Sequence, residues 1–192
     1  MKLKIKKGNH YPFPRFAIGL PKWVNKNKPT QMAKSYWFTE SCLYDLKDED
    51  QHDVNKLFGF SIGLHHNTSF RFGWRADLET HSIEIVGYEY QDKVRQATTH
   101  ICNIALRSSA YFLLYYLPEG KIEYAVFQDN THYEKYMEMK DAIRNVVEAT
   151  IINIVKIKKK WGLGYTLGLY FGGNETAPQD IIIHSKKIKV PE

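Results

Sequence analysis

Two adjacent histidines, His65-His66, and two arginines four apart, Arg71 and Arg75, are the side chains here best suited by type to do chemistry. In an extended strand, neighbouring side chains point to opposite faces. His65 and His66 would then not share a metal, and no acidic or histidine partner stands two or four residues on, so no metal site is expected. Arg71 and Arg75 fall on one side of their segment, with Phe72 and Trp74 opposite. Arginine offers a planar fork of donors that suits carboxylate or phosphate. A face built from Arg71, Trp74, Arg75, Tyr88 and Tyr90 would be a ligand site for an acidic sugar, with a tyrosine stacking on the ring. The competing and favoured role is cross-strand pairing of the arginines with Glu84 or Glu89.

Other motifs carry less. Gly172-Gly173-Asn174 lacks the Lys-Ser/Thr pair and following helix of a phosphate loop. Asn174, Glu175 and Asp180 could offer oxygens to calcium. The glycines read more simply as a tight turn, with Asp180 capping local amides. A glycosidase needs two carboxylates at a set separation, and Glu84 and Glu89 lie on opposite strand faces. Lys158–Lys160 followed by Trp161 is the one local mix of basic and aromatic residues that single-stranded nucleic acid would want. We expect no nucleic-acid partner, no membrane partner and no cofactor.

The elements that must position these residues are short. Leu57–Leu64, Ser69–Arg75, Ser82–Tyr90, Tyr111–Leu117 and Ile122–Phe127 read as strands, as do one or two more within Val94–Leu106. Gly164–Phe171 alternates Tyr165, Leu167, Leu169 and Phe171, and Asp180–His184 is a last apolar strand. Ser35–Leu43 and Thr150–Ile157 add two further strand candidates. Turn signals such as Pro118-Glu119-Gly120-Lys121 separate them. Tyr136, Met139, Ile143, Val146, Val147 and Thr150 fall near helical spacing, which predicts one helix over 134–149. Residues 1–35 hold Pro12, Pro14, Pro21 and Pro29 and read as an irregular arm. Its aromatics, with Trp37, form the candidate interface: Tyr11, Phe13, Phe16, Trp23 and Trp37, since such rings anchor protein contacts.

Composition bounds the rest. The 192 residues suit one domain, 1–192, that folds without staples. Aromatics make up 14% of the chain, with 13 Tyr and 10 Phe, a richness that suits pleated, half-buried surfaces. The net charge of +6 gathers at Met1–Lys7, Lys156–Lys160 and Lys186–Lys189, which reads as solvated termini and a turn. Cys42 and Cys102 make neither a disulfide framework nor a zinc site. No apolar stretch follows the basic N-terminus, so the expectation is cytoplasmic synthesis without a signal peptide.

Two segments carry a resemblance. One runs from His65 through Arg75 and on to Ile83–Tyr90. The other runs from Trp161-Gly162 through Tyr170-Phe171-Gly172-Gly173-Asn174-Glu175-Thr176-Ala177-Pro178-Gln179-Asp180-Ile181. The pattern is similar to uncharacterised small proteins of gut Bacteroidetes and their phages. The closing loop and strand resemble concanavalin-like jelly-roll sandwiches, a fold shared by lectins, glucanases and polysaccharide lyases. The resemblance implies a mainly β protein, an antiparallel two-sheet jelly-roll sandwich. A lyase of that type would need a Tyr, a His and an Arg converging on one face, for which His100, His81, Tyr88 and Arg71 are the candidates.

Because fold does not confer function, the leading expectation is a non-catalytic structural or accessory protein. It would work by surface contact with other subunits of an oligomeric assembly, as a phage virion component decorating a capsid or joined to a tail. The alternatives are a carbohydrate-binding module and, third, a polysaccharide lyase or glycoside hydrolase.

Overall fold

The computed structural model describes residues 1–12, 18–24, 30–117, 120–138, 152–156 and 162–188. Two antiparallel sheets form a sandwich, with a single helix among the described residues. The strands are β1 (Lys2–Ile5), β2 (Ile18–Val24), β3 (Thr30–Phe38), β4 (Asn55–Ser61), β5 (Ser69–Asp77), β6 (Ser82–Gln91), β7 (Val94–Arg95), β8 (Thr99–Ala105), β9 (Ser109–Leu117), β10 (Lys121–Phe127), β11 (Ile152–Lys156), β12 (Gly162–Leu167) and β13 (Ile181–Lys187). One sheet has the order β1-β13-β3-β9-β10-β11; the other runs β2-β12-β4-β5-β6-β7, with β8 also pairing β6. The sequence expectation of a two-sheet jelly-roll sandwich holds.

The two inner faces close over aromatic rings. Phe70, Phe72 and Trp74 of β5 meet Phe58 and Phe60 of β4 and, from the opposite sheet, Tyr36, Phe38, Phe112 and Tyr124, all at 0–1% exposure. Phe72 sits edge-on to both Phe112 and Tyr124, at 5.2 and 5.1 Å between centroids. This is the offset geometry that ring quadrupoles favour. Alternation along β5 then fixes the other face. With Phe70, Phe72 and Trp74 inward, Ser69, Arg71, Gly73 and Arg75 point outward.

Two expectations are corrected here. The irregular arm over 1–35 contains strands: β1 pairs with β13, β2 with β12, and β3 with β9 and β13. The two described prolines do not forbid this, because they lie where a lost donor is harmless. Pro21 is in β2, which ends the strand order of its sheet, and proline is tolerated on such edges. Pro12 makes only an isolated bridge to Ile5. The helix runs over Asn130–Glu138 (α1) rather than starting at 134; residues 139–149 of the expected span lie outside the described residues. Tyr133 and Tyr136 of α1 cover Ala125 and Phe127 on the outer face of the first sheet. Tyr136 also donates a hydrogen bond to the buried Glu123 carboxylate.

Candidate functional site

The outward face of the β4-β5-β6 sheet carries a cavity of about 600 Å³. Arg71 of β5 and its direct cross-strand partner Tyr88 of β6 line it, as do Ser69 and its partner Tyr90. Lys56 enters from β4, on the same face because it pairs with Gly73. The turn between β4 and β5 brings His65 and His66 to the rim. Tyr11, Tyr170 and Gly173 complete the wall.

Ring contacts hold that wall. Tyr170 stacks on His10 at 5.2 Å with planes 7° apart, and Tyr11 meets Tyr170 edge-on at 5.1 Å. The His66 ring stacks on Tyr90 at 5.3 Å, and His65 contacts His66 edge-on at 4.2 Å. Backbone bonds tie the Tyr170 segment to β4, with Lys56 N donating to Tyr170 O at 2.8 Å and Tyr170 N to Lys56 O at 2.9 Å. The next loop is pinned by Asp50, whose Oδ2 accepts from Asn174 N and Glu175 N at 3.1 and 2.8 Å.

The electrostatics are one-sided. Arg71 is only 6% exposed, yet its Nε has no hydrogen-bond partner. Among the described residues no carboxylate lines the cavity. Burial lowers the Arg71 pKa to about 10, against a partial counter-effect from Tyr88, Tyr170 and Tyr90. Burial also lowers Lys56 to about 8, the Arg71 charge pushes the same way, and the Asp53 charge pushes weakly against them. Burial, then His66 and Arg71, hold His65 below its ordinary value, so its imidazole stays neutral. Burial raises Tyr88 to about 12, which keeps its hydroxyl protonated. A desolvated guanidinium with an unpartnered Nε invites an anionic ligand. A neutral imidazole and protonated phenols beside it are groups able to accept and donate protons.

Of the five ligand residues expected from sequence, Arg71, Tyr88 and Tyr90 come together in this cavity. Trp74 does not: it is fully buried among Phe38 and Tyr44 on the inner face, as alternation from Arg71 requires. Arg75 points outward but is taken by Glu84 in a bidentate pair, Nε to Oε2 at 2.8 Å and Nη2 to Oε1 at 2.9 Å. The cross-strand pairing expected for the arginines therefore holds for Arg75 and fails for Arg71. Glu89 could not serve Arg71 because it faces inward, opposite Phe70.

The histidines proposed for a lyase arrangement are elsewhere. His100 bonds Glu84 at 3.1 Å, and His81 sits in the β5–β6 turn with a positive φ of 51°. The histidines that line the cavity are His65 and His66, which lie in a turn rather than a strand. Among the described residues no cluster of three or more His, Cys, Asp or Glu could hold a metal ion. The oxygens considered for calcium are dispersed. Asp180 accepts from Lys7 N at 3.0 Å and pairs with Lys4 at 2.5 Å.

The aromatics expected to form an interface also separate. Tyr11 lines the cavity, Trp23 is 58% exposed on β2 beside Leu163, and Trp37 packs on His184 at 4.9 Å. Phe13 and Phe16 lie outside the described residues. Lys56, Tyr170 and Tyr11 were not singled out by the sequence as cavity residues. For Tyr170 a signal existed: alternation that sends Leu169 and Phe171 inward must send Tyr170 outward.

No protein-family model and no curated protein matches this chain. A solved structure does. The crystal structure of an alginate lyase from Pseudomonas aeruginosa aligns with a TM-score of 0.53 at 8% identity, over 86% of this chain and 68% of that one. At such identity the likeness establishes the fold. It supports the jelly-roll part of the resemblance and does not connect the chain to gut Bacteroidetes or their phages. It also tells against the leading expectation of a non-catalytic virion component, since a protein with this architecture is an alginate lyase.

Proposed function

We propose that this chain is a polysaccharide lyase acting on a uronate-containing glycan, with its site in the cavity on the outer face of β4, β5 and β6. One observation carries the reading: Arg71 lies buried at the cavity floor with an unpartnered Nε, and among the described residues no carboxylate lines the cavity to satisfy it. A substrate carboxylate would complete that arrangement, and an arginine fork would hold it in a fixed plane.

The chemistry follows from the neighbours. Pairing with Arg71 withdraws charge from the uronate carboxylate and makes the adjacent C5 proton more acidic. The neutral imidazole of His65 removes that proton. The electron pair forms the C4–C5 double bond while the bond from C4 to the leaving oxygen breaks. The hydroxyl of Tyr88, kept protonated by burial, gives its proton to that oxygen. Tyr90 and Tyr170 supply ring faces that line the path of the sugar.

The test is direct. Purified protein is incubated with alginate and with polygalacturonate, and ultraviolet absorbance from unsaturated uronate is followed. Absorbance that rises with enzyme concentration and vanishes in Arg71→Ala is expected. Retention on the polymer without any absorbance would replace the lyase with a carbohydrate-binding module. Neither retention nor absorbance would sink the acidic-glycan reading.

A further inference from the structure

We propose that Lys56 is a second anion-holding residue, so that the cavity selects a ligand carrying two anionic groups on neighbouring sugar units. The inference rests on the acidic-glycan reading and adds a specificity determinant to it.

The placement of Lys56 is constrained from three sides. Its backbone is bonded both ways to Tyr170, so the residue cannot swing out of the sheet. Its Nζ lies 4.7 Å from the Tyr88 ring centre and 5.5 Å from that of Tyr170, which holds the ammonium between the two walls. Behind it stands Gly172. A Cβ there would come within 2.6 Å of Nζ and 2.1 Å of Val54 O, so the space the ammonium occupies depends on a missing side chain.

Two cations thus share one cavity. Burial and then the Arg71 charge act on the Lys56 ammonium unfavourably, Asp53 offsets them only in part, and no ion pair joins Lys56 to a carboxylate among the described residues. Like charges held together out of water are costly unless something offsets them. One carboxylate on Arg71 would answer only one of them. The volume, about 600 Å³, is in the range that takes a drug-sized ligand (roughly 300–1,000 Å³) and is more than one sugar ring fills. Lysine is a point charge on a flexible stem, suited to a second carboxylate whose plane need not be fixed.

Calorimetric titration tests this with dimannuronate and digalacturonate, each beside its monomethyl ester, a control of the same size with one charge fewer. The parent protein should bind the diacid roughly tenfold or more tighter than the monoester, the scale of one added charge-assisted bond. Lys56→Gln and Lys56→Met should erase that gap, while Lys56→Arg keeps it. Arg71→Gln should weaken both ligands. Equal binding of diacid and monoester by the parent protein overturns the proposal without recourse to any variant. A gap that survives in a folded Lys56→Gln or Lys56→Met protein overturns it as well. Failure of every acidic sugar to bind would instead bring down the reading on which it stands.

Discussion

Arg71 and Tyr88 face each other directly across the β5–β6 ladder, and among the described residues no carboxylate joins them in lining the cavity. The pair places a cation with an open donor next to a phenol that burial keeps protonated. Arg71→Met therefore separates function from stability. A desolvated charge without a partner costs the fold, and an apolar side chain of similar length removes that cost. The melting temperature should be no lower than the parent's, and higher by roughly 2–4 °C if about 1 kcal/mol is released. Uronate-polymer cleavage should fall at least ~100-fold. Calorimetry and an absorbance assay read the two halves separately.

His65→Ala should lower kcat by roughly 10²–10⁴, whereas His81→Ala and His100→Ala should leave it unchanged. The pH profile gives an independent check. Proton abstraction needs neutral imidazole, so activity is lost as pH falls through the His65 pKa. Burial, His66 and Arg71 all lower that value. The acid limb should then lie below about pH 6.5, the ordinary histidine value. A limb above that point would count against His65 as the base.

Glu89 faces inward beside Phe70, and burial raises its carboxyl from 4.5 to about 7. Folding therefore favours its protonated form. Stability from this group is greatest below about pH 4.5 and declines as pH rises from there to about 7. The change amounts to about 3 kcal/mol at most. Glu89→Gln should flatten that fall, so its advantage over the parent in urea should grow between pH 5 and pH 8. An advantage that stays constant with pH would show that Glu89 ionises normally.

Trp74→Ala should cost about 3–5 kcal/mol of stability, because it empties a fully buried position between Phe38 and Tyr44. Glycan affinity per folded molecule should not change. Arg75→Ala breaks a partly exposed pair with Glu84 and should cost no more than about 1 kcal/mol, again without effect on binding.

The sheets were legible because their inward positions repeat every second residue. Phe70, Phe72 and Trp74, or Ile122, Tyr124 and Val126, declare a buried face without any tertiary knowledge. The same rule should have removed Trp74 from a ligand face that contained Arg71. The strands at 1–35 were hidden because proline argues against strands in general and only edge position exempts it. His65 could not be placed from sequence because a strand sends neighbouring side chains to opposite faces, whereas the turn in which the pair lies lets both reach one cavity. Lys56 left no signal at all: it lies at the end of a register shift in β4, and its neighbours Tyr88 and Tyr170 come from segments far along the chain. What the partners do to one another's charge could be seen only once the sheet had assembled them.

The division between floor and rim has an evolutionary corollary. Arg71 is bracketed by Phe70 and Phe72, so sliding β5 by one position would bury the guanidinium and expose two phenyl rings. The chemistry at the floor is thus locked by the hydrophobic interior. His65, His66 and Gly173 sit in turns outside the strands and carry no such constraint. Those turns can change in length and composition without disturbing the interior, while the guanidinium stays where the core has put it.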